Sequence, residues 1–76
     1  MWEESNNKIL KEFKFKNFIE AAAFITKVSI VSEKNNHHPE IYNVYNKVII
    51  DLCTHELGDK ITQKDYNLAK EIDTII

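Results

Sequence analysis

All three histidines of the chain lie in two short segments, His37-His38 and His55. An imidazole has an ordinary pKa of about 6.5, so it accepts and releases a proton around neutrality without extreme tuning. A dehydration needs that ability: a hydroxyl leaves as water only when a donor protonates it, while a neighbouring N–H or C–H gives its proton to a base. One or two positioned imidazoles contribute roughly 100- to 10,000-fold through proton transfer. Acid/base chemistry is therefore the reaction class these residues suggest.

Other chemistries fit less well. Three histidines are also a zinc ligand set, because three nitrogens and a water make a catalytic arrangement, but no supporting Cys, Asp or His-x-His spacing reinforces it, and no metal is expected. Cys53 and His55, two apart, share a strand face and imitate a thiol nucleophile with its base. A buried, inert cysteine is the better reading. Tyr42 and Tyr45 offer flat surfaces to a planar ligand, yet packing on strand neighbours accounts for each of them.

The histidine segments meet only if the chain between them doubles back. Pro39 lacks an N–H and pushes His38 toward an extended conformation, so His37-His38-Pro39 reads as a loop entering a strand. Ile41 to Tyr45 and Val48 to Thr54 are rich in β-branched and aromatic residues, and Asn46-Lys47 between them makes a two-residue hairpin turn. Counting outward from that turn sets Ile41 and Cys53 at comparable distances and brings His38 and His55 to one end of the hairpin. Val48, Ile50 and Leu52 share one face.

Upstream, Trp2 to Glu4 and Ile9 to Phe15 form a first hairpin around Ser5-Asn6-Asn7, with Phe13 and Phe15 alternating against charged neighbours. Asn17 is a helix N-cap, and Glu20 stands where its carboxylate reaches back to the cap amide. The helix that follows carries an apolar stripe of Ala21, Phe24, Val28 and Val31 with Ile25 beside it, and exits at Asn35-Asn36. Gly58-Asp59 turns the chain, and Thr62 with Asp65 opens a last helix whose apolar face is Leu68, Ala69, Ile72, Ile75 and Ile76. The expected fold is α+β, a four-stranded antiparallel sheet with two helices packed on one face, in the order ββαββα and as one domain over residues 1–76.

At 76 residues the chain buries only about 60% of the surface its unfolded form exposes, so self-association is an expected supplement. Four strands leave sheet edges to protect, which points to a homodimer or tetramer. With 43% hydrophobic and 29% charged residues, the composition is that of a folded globular domain. A formal net charge of -2 argues against direct nucleic-acid binding, and Lys8, Lys11, Lys14 and Lys16, interrupted by Glu12, read as a solvated strand face. Cys53 is alone, so no internal disulfide forms, and a reducing compartment is expected: the cytosol, with the nucleus as an alternative. No apolar run has the length of a signal peptide or a membrane span.

Three runs resemble the signature of the pterin-4a-carbinolamine dehydratases: Glu33-Lys34-Asn35-Asn36-His37-His38-Pro39-Glu40, Asn43-Val44-Tyr45-Asn46-Lys47-Val48, and Thr54-His55. Phe13, Phe15, Phe18, Thr62, Asp65 and Leu68-Ala69 also fall where that family has similar residues, so the resemblance covers nearly the whole chain. It implies removal of water from a 4a-hydroxytetrahydropterin to give quinonoid dihydropterin, in tetrahydrobiopterin recycling, with neither metal nor cofactor. By the same resemblance His37 is the general acid, His55 acts as base or serves the opposite stereoisomer, and His38 mainly holds the pterin. Glu33 orients an imidazole or relays a proton, and Asn36, Cys53, Thr54 and Glu56 line the substrate site. Backbone groups around Thr54 are suited to the pterin's amide-like edge.

The chain departs from the pattern at Asn36, where many relatives have Asp, and at Ile41, where many have Trp. Relatives usually carry a further helix ahead of the first strand, and the Gly58-Asp59-Lys60 turn is one residue longer than in some of them. The resemblance also implies a second role, dimerisation cofactor of a homeodomain transcription factor, through the outward face of the helix from Asn17 to Lys34, including Ile19, Ala23 and Ile30.

Overall fold

Two asparagines set the first hairpin. Asn6 and Asn7 both hold positive φ, 52° and 64°, the left-handed pair that matches the twist of flanking strands and that Asn tolerates better than most residues. In the computed structural model, which describes residues 1–76, they join β1 (Glu3–Ser5) to β2 (Lys8–Lys14). The chain continues through α1 (Phe18–Lys34), β3 (Glu40–Val44), β4 (Lys47–Leu52), a 3-10 turn (His55–Leu57) and α2 (Gln63–Thr74). The fold is the expected α+β arrangement, with four antiparallel strands in the order β1-β2-β4-β3.

Alternation along the strands explains which face the helices cover. Ile9 and Phe13 of β2 and Val48, Ile50 and Leu52 of β4 point to one side and join Ala21, Phe24 and Val28 of α1 and Leu68, Ala69 and Ile72 of α2 in a single core. Phe24 is wedged between Phe13 and Phe15, with ring centroids 4.7 and 4.9 Å away. At a rough 1.5–3 kcal/mol for each large side chain, this burial is the main force holding the helices to the sheet. Lys34 and Asn35 then tie α1 to Glu71 of α2 at 2.6 and 3.0 Å, contacts that draw the Glu71 carboxyl below its usual range.

Several boundaries differ from those read in the sequence. The second hairpin turns at Tyr45-Asn46, one residue before the expected Asn46-Lys47, so Val44 pairs with Lys47 and Ile41 lies opposite Ile50, not level with Cys53. Tyr45 accepts a φ of 50° because the turn is bonded from both sides. Asn43 Nδ2 donates to the Lys47 carbonyl at 2.9 Å, and Asn46 Nδ2 donates to the Phe15 carbonyl at 2.9 Å. The second of these, across 31 positions, outvotes local turn preference. The lysines share no single face: Lys8 pairs with Glu40 on the uncovered side and Lys11 with Asp73 of α2 on the covered side. Ile76, expected on the apolar face of α2, is exposed, and Val31 is only half-buried while Ser32 takes the buried position.

Asn17 caps α1 as expected, its Oδ1 accepting from the Glu20 N–H at 2.9 Å. The other end closes with a left-handed Asn36 at φ 49°, the Asn36 N–H bonding to the Glu33 carbonyl and the His37 N–H to the Ser32 carbonyl. This motif reverses the chain and delivers His37 to the end of the sheet.

Ser32 Oγ is the one buried side-chain nitrogen or oxygen without a hydrogen-bond partner. Such a hydroxyl carries its desolvation cost with nothing to offset it. Ser32→Ala is therefore expected to raise stability by about 1 kcal/mol, read as a higher urea midpoint at unchanged slope.

Candidate active site

Continuing the β3/β4 register past the strand ends sets Pro39 level with Leu52 and His37 level with Thr54. Both residues are buried there and converge on a carboxylate from a third element. Asp65, in the first turn of α2, is fully buried. Its Oδ2 accepts the Thr62 N–H at 2.8 Å and the Thr54 hydroxyl at 3.0 Å, and its Oδ1 lies 2.6 Å from His37 Nε2. The Thr54 and Thr62 hydroxyls are themselves 2.6 Å apart. The sequence marks Asp65 as a helix-capping residue; that this one carboxylate also holds an imidazole from 28 positions away had no local signal.

A carboxylate can only accept, so His37 donates its Nε2–H to Asp65 and the proton-free nitrogen of the neutral ring is Nδ1. Nδ1 makes no bond within the chain, and since the only unpartnered buried polar atom is Ser32 Oγ, Nδ1 reaches the surface. His37 is thus 6% exposed and presents solvent with one basic nitrogen, backed by a buried carboxylate. That is the arrangement of a positioned general acid or base.

The other expected residues are held with less constraint. His38 Nε2 lies 2.9 Å from Glu33 Oε1, and both side chains are largely exposed. His55 directly follows Thr54 and places Nδ1 2.8 Å from Asp59 Oδ1, a partner the sequence reading did not single out. Each histidine therefore has its own carboxylate. Glu56 is exposed and bonded to Lys64 at 3.0 Å; that lysine chiefly, with a small contribution from His37, holds its carboxyl below the ordinary range. Asn36 is exposed, and its observed role is the left-handed turn.

Cys53 is buried, with Sγ 3.7 Å from His55 Nδ1. Burial first, and the negative charge of Asp59 second, push its thiol above the ordinary value. A nucleophilic cysteine needs the opposite shift, which argues against a thiol nucleophile here. Tyr42 and Tyr45 are exposed, on β3 and at its turn.

The chain is thus an α+β sheet-and-helix layer with each of its three histidines paired to a carboxylate. Residues 1–75 match the family model described as Pterin 4 alpha carbinolamine dehydratase, and the chain belongs to that family. It is 57% identical over 74 residues to a protein of Prochlorococcus marinus (strain SARG) named "Putative pterin-4-alpha-carbinolamine dehydratase", covering 97% of this chain and 76% of that one. Among solved structures, a transcriptional coactivator/pterin dehydratase from Brucella melitensis superimposes with a TM-score of 0.90 at 34% identity, over 97% of this chain and 80% of the other. A pterin dehydratase-like protein identified as a RuBisCO assembly factor in the alpha-carboxysome shares the fold, with a TM-score of 0.76 at 23% identity, over 97% of this chain and 84% of the other. No helix is long and apolar enough to cross a membrane.

Removing the Asp65 carboxylate takes the acceptor from three donors at once and leaves the buried His37 Nε2–H and the Thr62 N–H without a partner. Asp65→Ala is expected to destabilise the fold by roughly 3 kcal/mol or more, measured by chemical denaturation, well beyond the usual cost of losing a helix cap.

Proposed function

We propose that the chain dehydrates a 4a-hydroxytetrahydropterin to the quinonoid dihydropterin, the recycling step of tetrahydrobiopterin metabolism, by histidine acid/base catalysis. The observation that carries this reading is the His37–Asp65 pair, an imidazole fixed from behind with its free nitrogen turned to solvent. In the cationic form His37 gives its Nδ1 proton to the 4a-hydroxyl. The C4a–O bond breaks with its electron pair on oxygen, and water leaves. The ring N–H beside C4a loses its proton to a second base, and that N–H electron pair closes the new double bond, so charge and protons balance.

His55, held by Asp59, is the base, or the acid for the opposite stereoisomer, while His38 mainly holds the pterin and Glu33 orients the His38 imidazole or relays a proton. Asn36, Cys53, Thr54 and Glu56 complete the substrate site in this reading, with the Thr54 backbone against the amide-like edge. No metal and no cofactor enter the reaction.

The direct test mixes the purified chain with enzymatically generated 4a-hydroxytetrahydropterin and follows quinonoid formation. Acceleration over buffer is expected, falling by about 100-fold or more in His37→Ala and vanishing when His55→Ala is added. A wild-type rate equal to buffer ends the proposal.

A second reading, as a binding module for a helical partner such as a dimerising transcription factor, draws on exposed apolar residues of α1. Ile19 is 78% and Ile30 65% exposed on the helix side away from the core. Self-association as a homodimer or tetramer through helices or sheet edges would use the same kind of surface. Sedimentation should show more than one copy per particle, and Ile19→Glu with Ile30→Glu should shift the protein to monomer if α1 is the contact. An unchanged sedimentation coefficient in that variant excludes this face.

A further inference from the structure

Beside the His37–Asp65 pair lies a second group of chemically capable side chains. Cys53 Sγ, a nitrogen of His55 and a carboxylate oxygen of Asp59 all fall within 4.8 Å of one another. The sulfur is 3.7 Å from His55 Nδ1, and that nitrogen is 2.8 Å from Asp59 Oδ1. Around a tetrahedral zinc, with bonds of about 2.3 Å to sulfur and 2.0 Å to nitrogen, ligand atoms stand roughly 3.3–3.6 Å apart. From these separations we propose that Cys53, His55 and Asp59 form a site for a borderline-soft divalent cation of the zinc type, with the fourth position open to solvent.

The local backbone supports such a site. Thr54 and Lys60 exchange both of their backbone hydrogen bonds, at 2.7 and 3.3 Å, which closes the 3-10 turn and returns Asp59 over His55. Gly58 and Asp59 sit consecutively in the left-handed region, at φ 80° and 59°, to complete the reversal. Three ligand types are thus presented by seven consecutive residues on a closed turn. His55 and Asp59 are more than half exposed, so the ring and carboxylate have room for the small rotation that aims Nδ1 at the ion.

The charges around the sulfur also favour a cation. Asp59, Asp65 from α2 and Glu40 from β3 act on Cys53 as negative charges, and the sole opposing cation, Lys8 of β2, is paired with Glu40 at 2.7 Å. On binding, the Cys53 thiol proton leaves to solvent and sulfur donates its electron pair to the metal. The proton that His55 Nδ1 shares with Asp59 passes through solvent to Nε2, freeing Nδ1 as the ligand. A ligating imidazole is neutral and a ligating carboxylate ionised, so the thiol proton is the one that binding drives off. Imidazole, thiolate and carboxylate together suit zinc better than magnesium or calcium, which prefer oxygen alone.

Because His55 cannot hold an ion and move a proton together, occupancy should also inhibit pterin turnover; this consequence alone rests on the dehydratase reading. The test titrates cobalt(II), as a spectroscopic stand-in for zinc, into the full chain kept reduced by a phosphine, followed by zinc calorimetry. A thiolate-to-cobalt charge-transfer band at one equivalent is expected, lost in Cys53→Ser. Asp59→Asn, on an exposed turn where Asn also tolerates the left-handed conformation, should weaken zinc binding by about 10- to 100-fold or more. Absence of the band, its survival in Cys53→Ser, or wild-type zinc affinity in Asp59→Asn overturns the site. A cobalt band with turnover untouched by zinc keeps the site and removes His55 from the reaction.

Discussion

One buried carboxylate joins the parts of this structure that have to agree. Asp65 caps α2 through the Thr62 N–H, binds Thr54 at the end of the central strand, and holds His37 from the loop after α1. An unpaired carboxylate has a high cost in such a place, so the three donors and the acceptor require one another. The consequence is that helix capping, sheet-end geometry and imidazole orientation are one constraint. A shift in any of the three elements would leave a buried polar group unsatisfied.

The remaining fold serves to bring those elements to one end of the sheet. Phe13, Phe15 and Phe24 lock α1 across the strands, while Leu68, Ala69 and Ile72 lay α2 beside it. The left-handed Asn36 then turns the chain at the end of α1, so the helix exit and the loop of His37 are set by a backbone motif and not by the histidine itself. This gives the departure at Asn36 a physical meaning: at a position requiring positive φ, Asn is well suited whether or not its side chain touches a ligand.

The three histidines differ in how firmly they are held. His37 is buried against a fully buried acid, while His38 and His55 pair with exposed acids that solvent screens. The inner imidazole is therefore the rigid one, and the two outer ones are free to adapt. The outer pair is also where other chemistry has room, since His55 sits within reach of both a thiol and a carboxylate.

Much was legible along the chain because it is local. Alternating strands, the Asn17 cap, the apolar stripes of both helices and the Pro39 loop follow from spacing and from residue types that favour one backbone shape. So does the family, since its histidine runs are contiguous. What the sequence could not determine is pairing at a distance. The turn at Tyr45-Asn46 is tied to Phe15, 31 positions from Asn46, against the local preference for Asn46-Lys47, and the one-residue change moves Ile41 from opposite Leu52 to opposite Ile50. Likewise Asp65 reads as a cap and Asp59 as a turn residue until folding places imidazoles beside them. The identity of a side chain is local information, but its electrostatic partner is decided by packing, because only the buried core fixes which elements share an end of the sheet.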